Sequence, residues 1–488
     1  MERASTRFKK APKTKADKIA ELAPPFRGDQ EVAYASLRAY LQSKTVEGPF
    51  VLRGYAGTGK TFLIARAILE FYKLSPHVNT NPFATANQLT DNIIACAPTN
   101  KAVSVLSQTL QTTIPGMLKF PTCRTIYSLL GITFTPDDNA DTESLKFPEH
   151  PVELSPELEI IFVDEASMIN RQLLAYIIDF YPDHKWVFSG DPAQLPPVGE
   201  KISPIWEMGF DLEMKQIVRF DNTIINLATH IRTELENPRV VVGSIKLNHD
   251  PDPSGHTGVL KLSQSDFREH IESACEHGFF LKRDHTRVVC WRNRAVASYN
   301  DLIRRHLWDD AKHQWVVGEP FTFSNPYFSV VSAEEVSEAP VLTTDSEGII
   351  SNIRKLKSHP YCKGLPTWEI SALVYDSYGK EVELIFHIIP KKGEEVYADM
   401  LRERAALAKS ANSKLERQRL WKRFWWLKRC VGQIRYTYAI TAHRSQGSTY
   451  QNVFVDNRDI LANPTDREAI SCLYVAITRA KSRVFLLD

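Results

Sequence analysis

The chain has 488 residues, room for about three or four domains. Its 43% hydrophobic and 24% charged residues exclude a wholly disordered or fibrous chain. A net charge of +2 excludes recognition of an acidic polymer through bulk charge, so any such contact must be local. Seven scattered cysteines form no C-x-x-C pair, which argues for a reducing compartment and against a zinc site or disulfide framework. No run of about 18 apolar residues and no N-terminal apolar segment occur, so the sequence predicts neither a membrane span nor a secretory leader. The expected compartment is the cytoplasm.

In chain order, residues 1–25 crowd Arg3, Arg7, Lys9, Lys10, Lys13, Lys15 and Lys18 into a stretch poor in apolar residues, read as a disordered basic arm. From 26 to 200, short apolar strands alternate with helical stretches, the pattern of a parallel sheet covered by helices. Residues 131–151 interrupt it as a projecting hairpin. Phe134 and Phe147 sit on its two expected strands and bracket a polar turn, so they either pack together or meet a ligand. A second α/β pattern runs from 201 to 316 and resumes at 429. Between them, 317–428 reads as a small barrel-like insert. It ends in a basic helical stretch carrying Trp421, Trp425 and Trp426.

Gly54-Tyr55-Ala56-Gly57-Thr58-Gly59-Lys60-Thr61 fits G-x-x-x-x-G-K-[ST] between a strand and a helix. Its glycines let backbone N–H groups close around phosphate oxygens at a helix N-terminus. Lys60 can reach the β- and γ-phosphates, and the Thr61 hydroxyl can ligate Mg²⁺. About 100 residues on, the apolar strand Ile160-Ile161-Phe162-Val163 delivers Asp164 and Glu165 at its C-terminal end. Asp164 suits Mg²⁺, and Glu165 suits deprotonation of an attacking water. Gln194, in Gly190-Asp191-Pro192-Ala193-Gln194, can bond a γ-phosphate or that water. The following Pro196-Pro197 stiffens the path onward to bound substrate. Far downstream, His443, Gln446, Gly447 and Ser448 offer donors around a glycine, a set suited to a nucleic-acid backbone. Arg479, on an apolar run, suits an arginine finger from a second lobe, and Arg219 is a second candidate.

This ordered set resembles the helicase motifs of superfamily 1, and within it the RecD-like group that includes Dda-type phage helicases. The resemblance runs from Phe26 to the C-terminus. It implies an α/β fold of two RecA-like P-loop lobes with ATP between them, a β-hairpin pin at 131–151 and an SH3-like β insert at 317–428. It implies that Gln30 reads adenine, and that Gly57, Thr58, Gly59, Gln446 and Gly447 join the nucleotide site. Pro98, Thr99, Asn100, Thr125, Tyr127, Phe134, Phe147, Pro196, His443 and Ser448 would meet DNA. Tyr127 and Arg444 stand where the family often has His and Lys, and both can stack on or donate to nucleic acid. The RecD-like group generally moves 5′→3′. The expected activity is therefore a monomeric ATP-dependent DNA helicase acting on single strands and duplex forks, in a bacterial or phage-infected cell, with a single-strand-binding protein as a possible partner. The alternative is a motor or switch subunit of a recombination or nuclease assembly that does not unwind alone.

Overall fold

The computed structural model describes residues 25–43, 45, 48–74, 92–113, 122–136, 143–208, 212–216, 223–237, 239–248, 250–251, 257–308, 313–332, 335–337, 340–375 and 381–488. The basic arm at 1–24, Arg219 and the hairpin tip lie outside the described residues.

The first lobe contains β1 (Phe50–Gly54), β2 (Ile93–Ala97), β3 (Thr122–Thr125), the hairpin strands β4 (Thr133–Pro136) and β5 (Glu143–Lys146), then β6 (Ile160–Val163), β7 (Lys185–Gly190) and β8 (Leu212–Met214). Six of them form a sheet in the order β3-β2-β6-β7-β1-β8, every pair parallel. A parallel sheet covered on both faces requires continuous apolar strands, and β6 is buried at all its positions. Leu37, Leu63 and Leu106 pack on one face, and Ile126, Leu173 and Ile177 on the other. Chain turns between these strands therefore gather at the sheet's C-terminal edge, where ligands of open α/β sheets bind.

The second lobe begins with β9 (Asp250–Pro251), β10 (Gly258–Leu262) and β11 (Thr286–Cys290). The chain then leaves for an insert built of β12 (Pro320–Phe323), a small β13–β14 pair (Val330–Ser332, Glu335–Val336), β15 (Glu347–Leu356), β16 (Thr367–Tyr375), β17 (Glu381–Ile388) and β18 (Ile434–Tyr436). It returns with β19 (Ala439–Thr441), β20 (Tyr450–Val455) and β21 (Ala480–Leu487). The second sheet has the order β19-β11-β20-β21-β10-β9, parallel except at the β9 edge. The insert is a five-stranded antiparallel sheet, β17-β16-β15-β12-β18, closed over Phe321, Phe323, Tyr327 and Phe386.

Four features refine or depart from the sequence expectations. β8, placed in the second lobe, pairs with β1 of the first. β18, placed in the second lobe, pairs with β12 of the insert. The basic stretch 401–429 belongs to two helices, Glu394–Lys409 and Lys414–Arg429, because Ser413 caps a fresh start by accepting from Glu416 N–H. Finally, Phe134 lies opposite Leu145 rather than Phe147. Phe147 falls beyond β5 and meets the Tyr176 ring at 4.9 Å, so it roots the hairpin in the first lobe. No helix among the described residues is long and apolar enough to cross a membrane.

The insert is locked to the second lobe by a buried ion pair. Arg304, on helix Asn293–Leu307, donates through Nε and Nη2 to Glu319 at 2.5 and 3.0 Å, just before β12. Tyr438 O–H donates to the same carboxylate at 3.0 Å, and Val316 N–H at 3.2 Å. Removing one partner of such a pair strands the other charge in the interior. Arg304→Met should therefore cost about 3–5 kcal/mol of stability, read as a lowered urea midpoint for the transition that includes the insert.

Candidate functional site

The loop after β1 turns through Gly57 and Gly59, at φ 81° and 86°, and enters helix Lys60–Leu74. A side chain at 59 would meet more than backbone strain, since its Cβ would lie 2.3 Å from Gln30 Nε2. Thr58 is buried and braces the turn by donating to Tyr55 O at 2.8 Å. Lys60 Nζ donates to Gly54 O at 2.7 Å and Tyr55 O at 3.2 Å, which holds the ammonium at the mouth of the cradle. Gln30 is also tied down: its Nε2 donates to Thr58 O, and its Oε1 accepts from Arg27 N–H. An adenine contact would exchange with these bonds.

Two carboxylates follow β6. Asp164 accepts from Thr61 Oγ1 at 2.9 Å, from Ser189 Oγ at 2.6 Å and from Glu165 N–H at 3.0 Å. Thr61 and Asp164 thus place hydroxyl and carboxylate oxygens together, the donor set of a hard divalent cation. Glu165 has a left-handed backbone, φ 54°. Burial and neighbouring Asp164 push its carboxyl above the usual range, against the pull of Arg479 and Lys60. Gln194 lines the same cleft and is buried, with its Oε1 lacking a hydrogen-bond partner among the described residues. An orphaned acceptor there fits an attacking water that can donate to it.

The second lobe supplies the opposite wall. The cleft, about 440 Å³, is lined by Gln30, Lys60, Asp164, Glu165 and Gln194 from one side and by Gly447 and Arg479 from the other. The Arg479 guanidinium is pre-set by its own lobe, donating to Val475 O, Ser448 O and Thr478 Oγ1 at 3.1 Å each. Gly447, at φ 72°, lies so close to the first lobe that a Cβ would stand 3.1 Å from Ala102 Cβ. Tyr474, on helix Asp466–Thr478, bridges the lobes: it donates to Asp191 Oδ2 at 2.6 Å and accepts from Ala56 N–H at 3.2 Å. Tyr474, Ser189 and Arg27 were not singled out from sequence. Their partners are chosen by folding, so no local pattern marks them.

Several expected contacts take different roles. Gln446 does not line the cleft; its Nε2 donates to Leu195 O at 3.3 Å across the lobe boundary. Ser448 is only 2% exposed and its carbonyl receives Arg479, so it serves the arginine rather than a strand. Thr99 and Thr125 spend their hydroxyls capping the following helices, accepting from Ala102 N–H and Ser128 N–H. Thr441 does the same for Arg444 N–H. These three caps stand at the C-terminal ends of β2, β3 and β19. Pro98 is buried, Asn100, Tyr127 and Pro196 are half-buried, and His443 is exposed beside Glu468. Burial raises the Tyr127 hydroxyl's pKa.

The chain is similar to several known proteins. Residues 38–200 match the AAA domain family, and residues 436–487 match the UvrD-like helicase C-terminal domain. The chain is 24% identical to uncharacterized protein R530 of Acanthamoeba polyphaga mimivirus, over 95% of this chain and all of that one. It is 25% identical to the ATP-dependent DNA helicase dda of Enterobacteria phage T4, over 89% of this chain and 93% of that one. A structure of two coordinating Pif1 helicases at forked duplex DNA aligns with 16% identity and a TM-score of 0.47, over 95% of this chain and 92% of that one.

In the role of general base expected from the sequence, Glu165 would have to be deprotonated to act, and it gains its proton above the ordinary glutamate range. The acid limb of kcat/KM for nucleotide hydrolysis should therefore fall at a pH clearly above about 4.3. Glu165→Gln should bind nucleotide but not turn it over. A steady-state pH profile and nucleotide titration of the variant check both.

Proposed function

We propose, from this chain's place among the superfamily 1 helicases of the Dda type, that it is an ATP-dependent DNA helicase moving 5′→3′ on single strands and parting duplex at a fork. The observation that carries this reading is a single nucleotide cleft whose walls come from two lobes. Such a cleft converts nucleotide turnover into relative lobe motion, as a motor requires.

Lys60 would leave its carbonyl partners for the β- and γ-phosphates, and Gln30 would meet adenine. Thr61 and Asp164 would hold Mg²⁺, which neutralises charge on the phosphates when bound. Glu165 takes a proton from the attacking water, and Gln194 Oε1 accepts that water's other hydrogen bond. Lys60 and Arg479 face the charge spread over the transferred phosphoryl oxygens, one cation from each lobe. Because Arg479 is held at the end of helix Asp466–Thr478, its engagement draws that helix and Tyr474 toward the first lobe. Loss of the γ-phosphate releases it.

The single strand would pass the ends of β2, β3 and β19, with Asn100, Tyr127, Pro196 and His443 as contacts. The hairpin acts as the pin and the antiparallel sheet as the SH3-like insert. The seven cysteines are all free and buried, which supports a reducing compartment such as cytoplasm. A monomer acting with a single-strand-binding protein is the simplest assembly consistent with a complete cleft in one chain.

Strand displacement on 5′- and 3′-tailed duplexes tests the reading; only the 5′-tailed substrate should be unwound. Arg479→Ala should keep nucleotide affinity while turnover falls on the order of 10³-fold or more, measured by nucleotide titration and DNA-stimulated hydrolysis. Replacing 135–144 by a short Gly-Ser loop leaves Phe147 rooted on Tyr176. It should preserve DNA-stimulated hydrolysis and sharply reduce strand separation, with both activities measured on one preparation.

A further inference from the structure

We propose that His443, Glu468 and Cys472 form a binding site for a borderline-soft divalent cation such as Zn²⁺. Glu468 and Cys472 stand four residues apart on helix Asp466–Thr478, so they share one face. The short helix Ala442–Ser445 lies against that face and brings His443 to both. His443 Nε2 is 3.4 Å from Glu468 Oε1, and Nδ1 is 4.0 Å from Cys472 Sγ. One donor atom from each residue falls within 4.8 Å of the others, the one such group found among the described residues.

Tetrahedral zinc takes nitrogen and oxygen near 2.0–2.2 Å and sulfur near 2.3 Å, so ligand atoms sit roughly 3.3–3.6 Å apart. The short contacts use the two different ring nitrogens, and one ion takes only one of them. With a single imidazole nitrogen the three donors lie within 4.8 Å, so rotation of the exposed His443 and Glu468 side chains must draw them in by about an ångström. Imidazole, carboxylate and thiolate together select zinc-like ions over Mg²⁺, which takes oxygen alone. Access is suitable as well. Cys472 is fully buried at the floor, while the His443 and Glu468 side chains are 42% and 40% exposed. An ion can enter past these two and keep a water in the remaining position. An exposed His–Glu pair by itself is worth little, and the sulfur beneath it is what makes a ligand set. Binding forms a metal–sulfur bond and releases the thiol proton to solvent. The ligands come from helices whose contact is made by folding, which is why cysteine spacing carried no trace of them.

The position gives the ion a consequence. The helix bearing Glu468 and Cys472 also carries Tyr474 and ends at Arg479, and His443 is the exposed group assigned to the strand. Resting on that assignment, a bound ion takes the His443 ring from DNA, so zinc inhibits by competing with the strand.

The test uses the chelator-treated full chain titrated with Co²⁺. The expected result is a sulfur-to-cobalt charge-transfer absorption in the near ultraviolet that saturates at one equivalent and is displaced by Zn²⁺. Cobalt at the Thr61 and Asp164 oxygens gives no such band. Cys472→Ser should remove it. Glu468→Gln, altering an exposed side chain, guards against a folding defect in the cysteine variant and should weaken cobalt binding at least tenfold, the scale of losses at metal sites. No band in the wild type, a band that persists in Cys472→Ser, or unchanged affinity in Glu468→Gln would overturn the site. In a second arm, Zn²⁺ should weaken binding of a short single-stranded DNA to the wild type but not to Glu468→Gln. An unchanged DNA affinity alongside an intact cobalt band would uphold the metal site and overturn the strand role of His443.

Discussion

Asp164 and Glu165 line one cleft and Asp191 is buried close behind them, and the arrangement of both lobes answers that crowding of carboxylates. Asp164, Glu165 and Asp191 would repel one another and lose hydration, a cost of several kcal/mol per unpaired ion. Each is answered differently. Asp164 is wrapped by Thr61, Ser189 and a backbone N–H. Asp191, fully buried, takes Ala193 N–H and the Tyr474 hydroxyl from the opposite lobe. Glu165 keeps a raised pKa and relies on Lys60 and Arg479, one from each side. The lobes thus meet where their charges need each other, and a nucleotide that brings new negative charge must rearrange this balance.

The balance reaches beyond the cleft through helix Asn100–Thr113. Ala102 on that helix abuts Gly447 of the second lobe. Its neighbour Lys101 donates to Asp284 of the second lobe at 2.8 Å and lies 3.6 Å from Glu347 of the insert. Burial alone would lower this lysine's pKa; Glu347 and Asp284 overcome it and hold the ammonium above the usual lysine range. A single cation therefore joins three parts of the chain, one position from the nucleotide wall. Arg283 adds to the junction by stacking over Tyr375 of the insert at 4.0 Å. Movement of the lobes cannot leave the insert untouched while these contacts hold.

Chemistry-bearing segments were legible because each is local. The loop 54–61 needs glycines, a lysine and a hydroxyl at fixed spacing. Asp164 and Glu165 are marked by the apolar strand that delivers them. Arg479 and Gly447 stand out by residue type, and both line the cleft. The hairpin and the insert showed themselves as breaks in an α/β pattern, although β8 and β18 fell across the expected boundaries. A three-residue strand carries too little pattern to say which sheet it joins, and its hydrogen-bond partner decides.

What the sequence determined by itself is the inventory: two α/β units, a phosphate loop, a pair of acidic residues and a distant arginine, because strand period, glycine freedom and side-chain chemistry act over a few residues. What only the tertiary structure decided is which groups meet. Tyr474 reaches Asp191 across 283 positions. Gln446 turned out to bridge the lobes, Ser448 to hold the arginine, and Phe147 to root the hairpin. Those outcomes depend on how two sheets dock and which polar groups are left needing a partner once water is gone, and neighbouring residues carry no record of that.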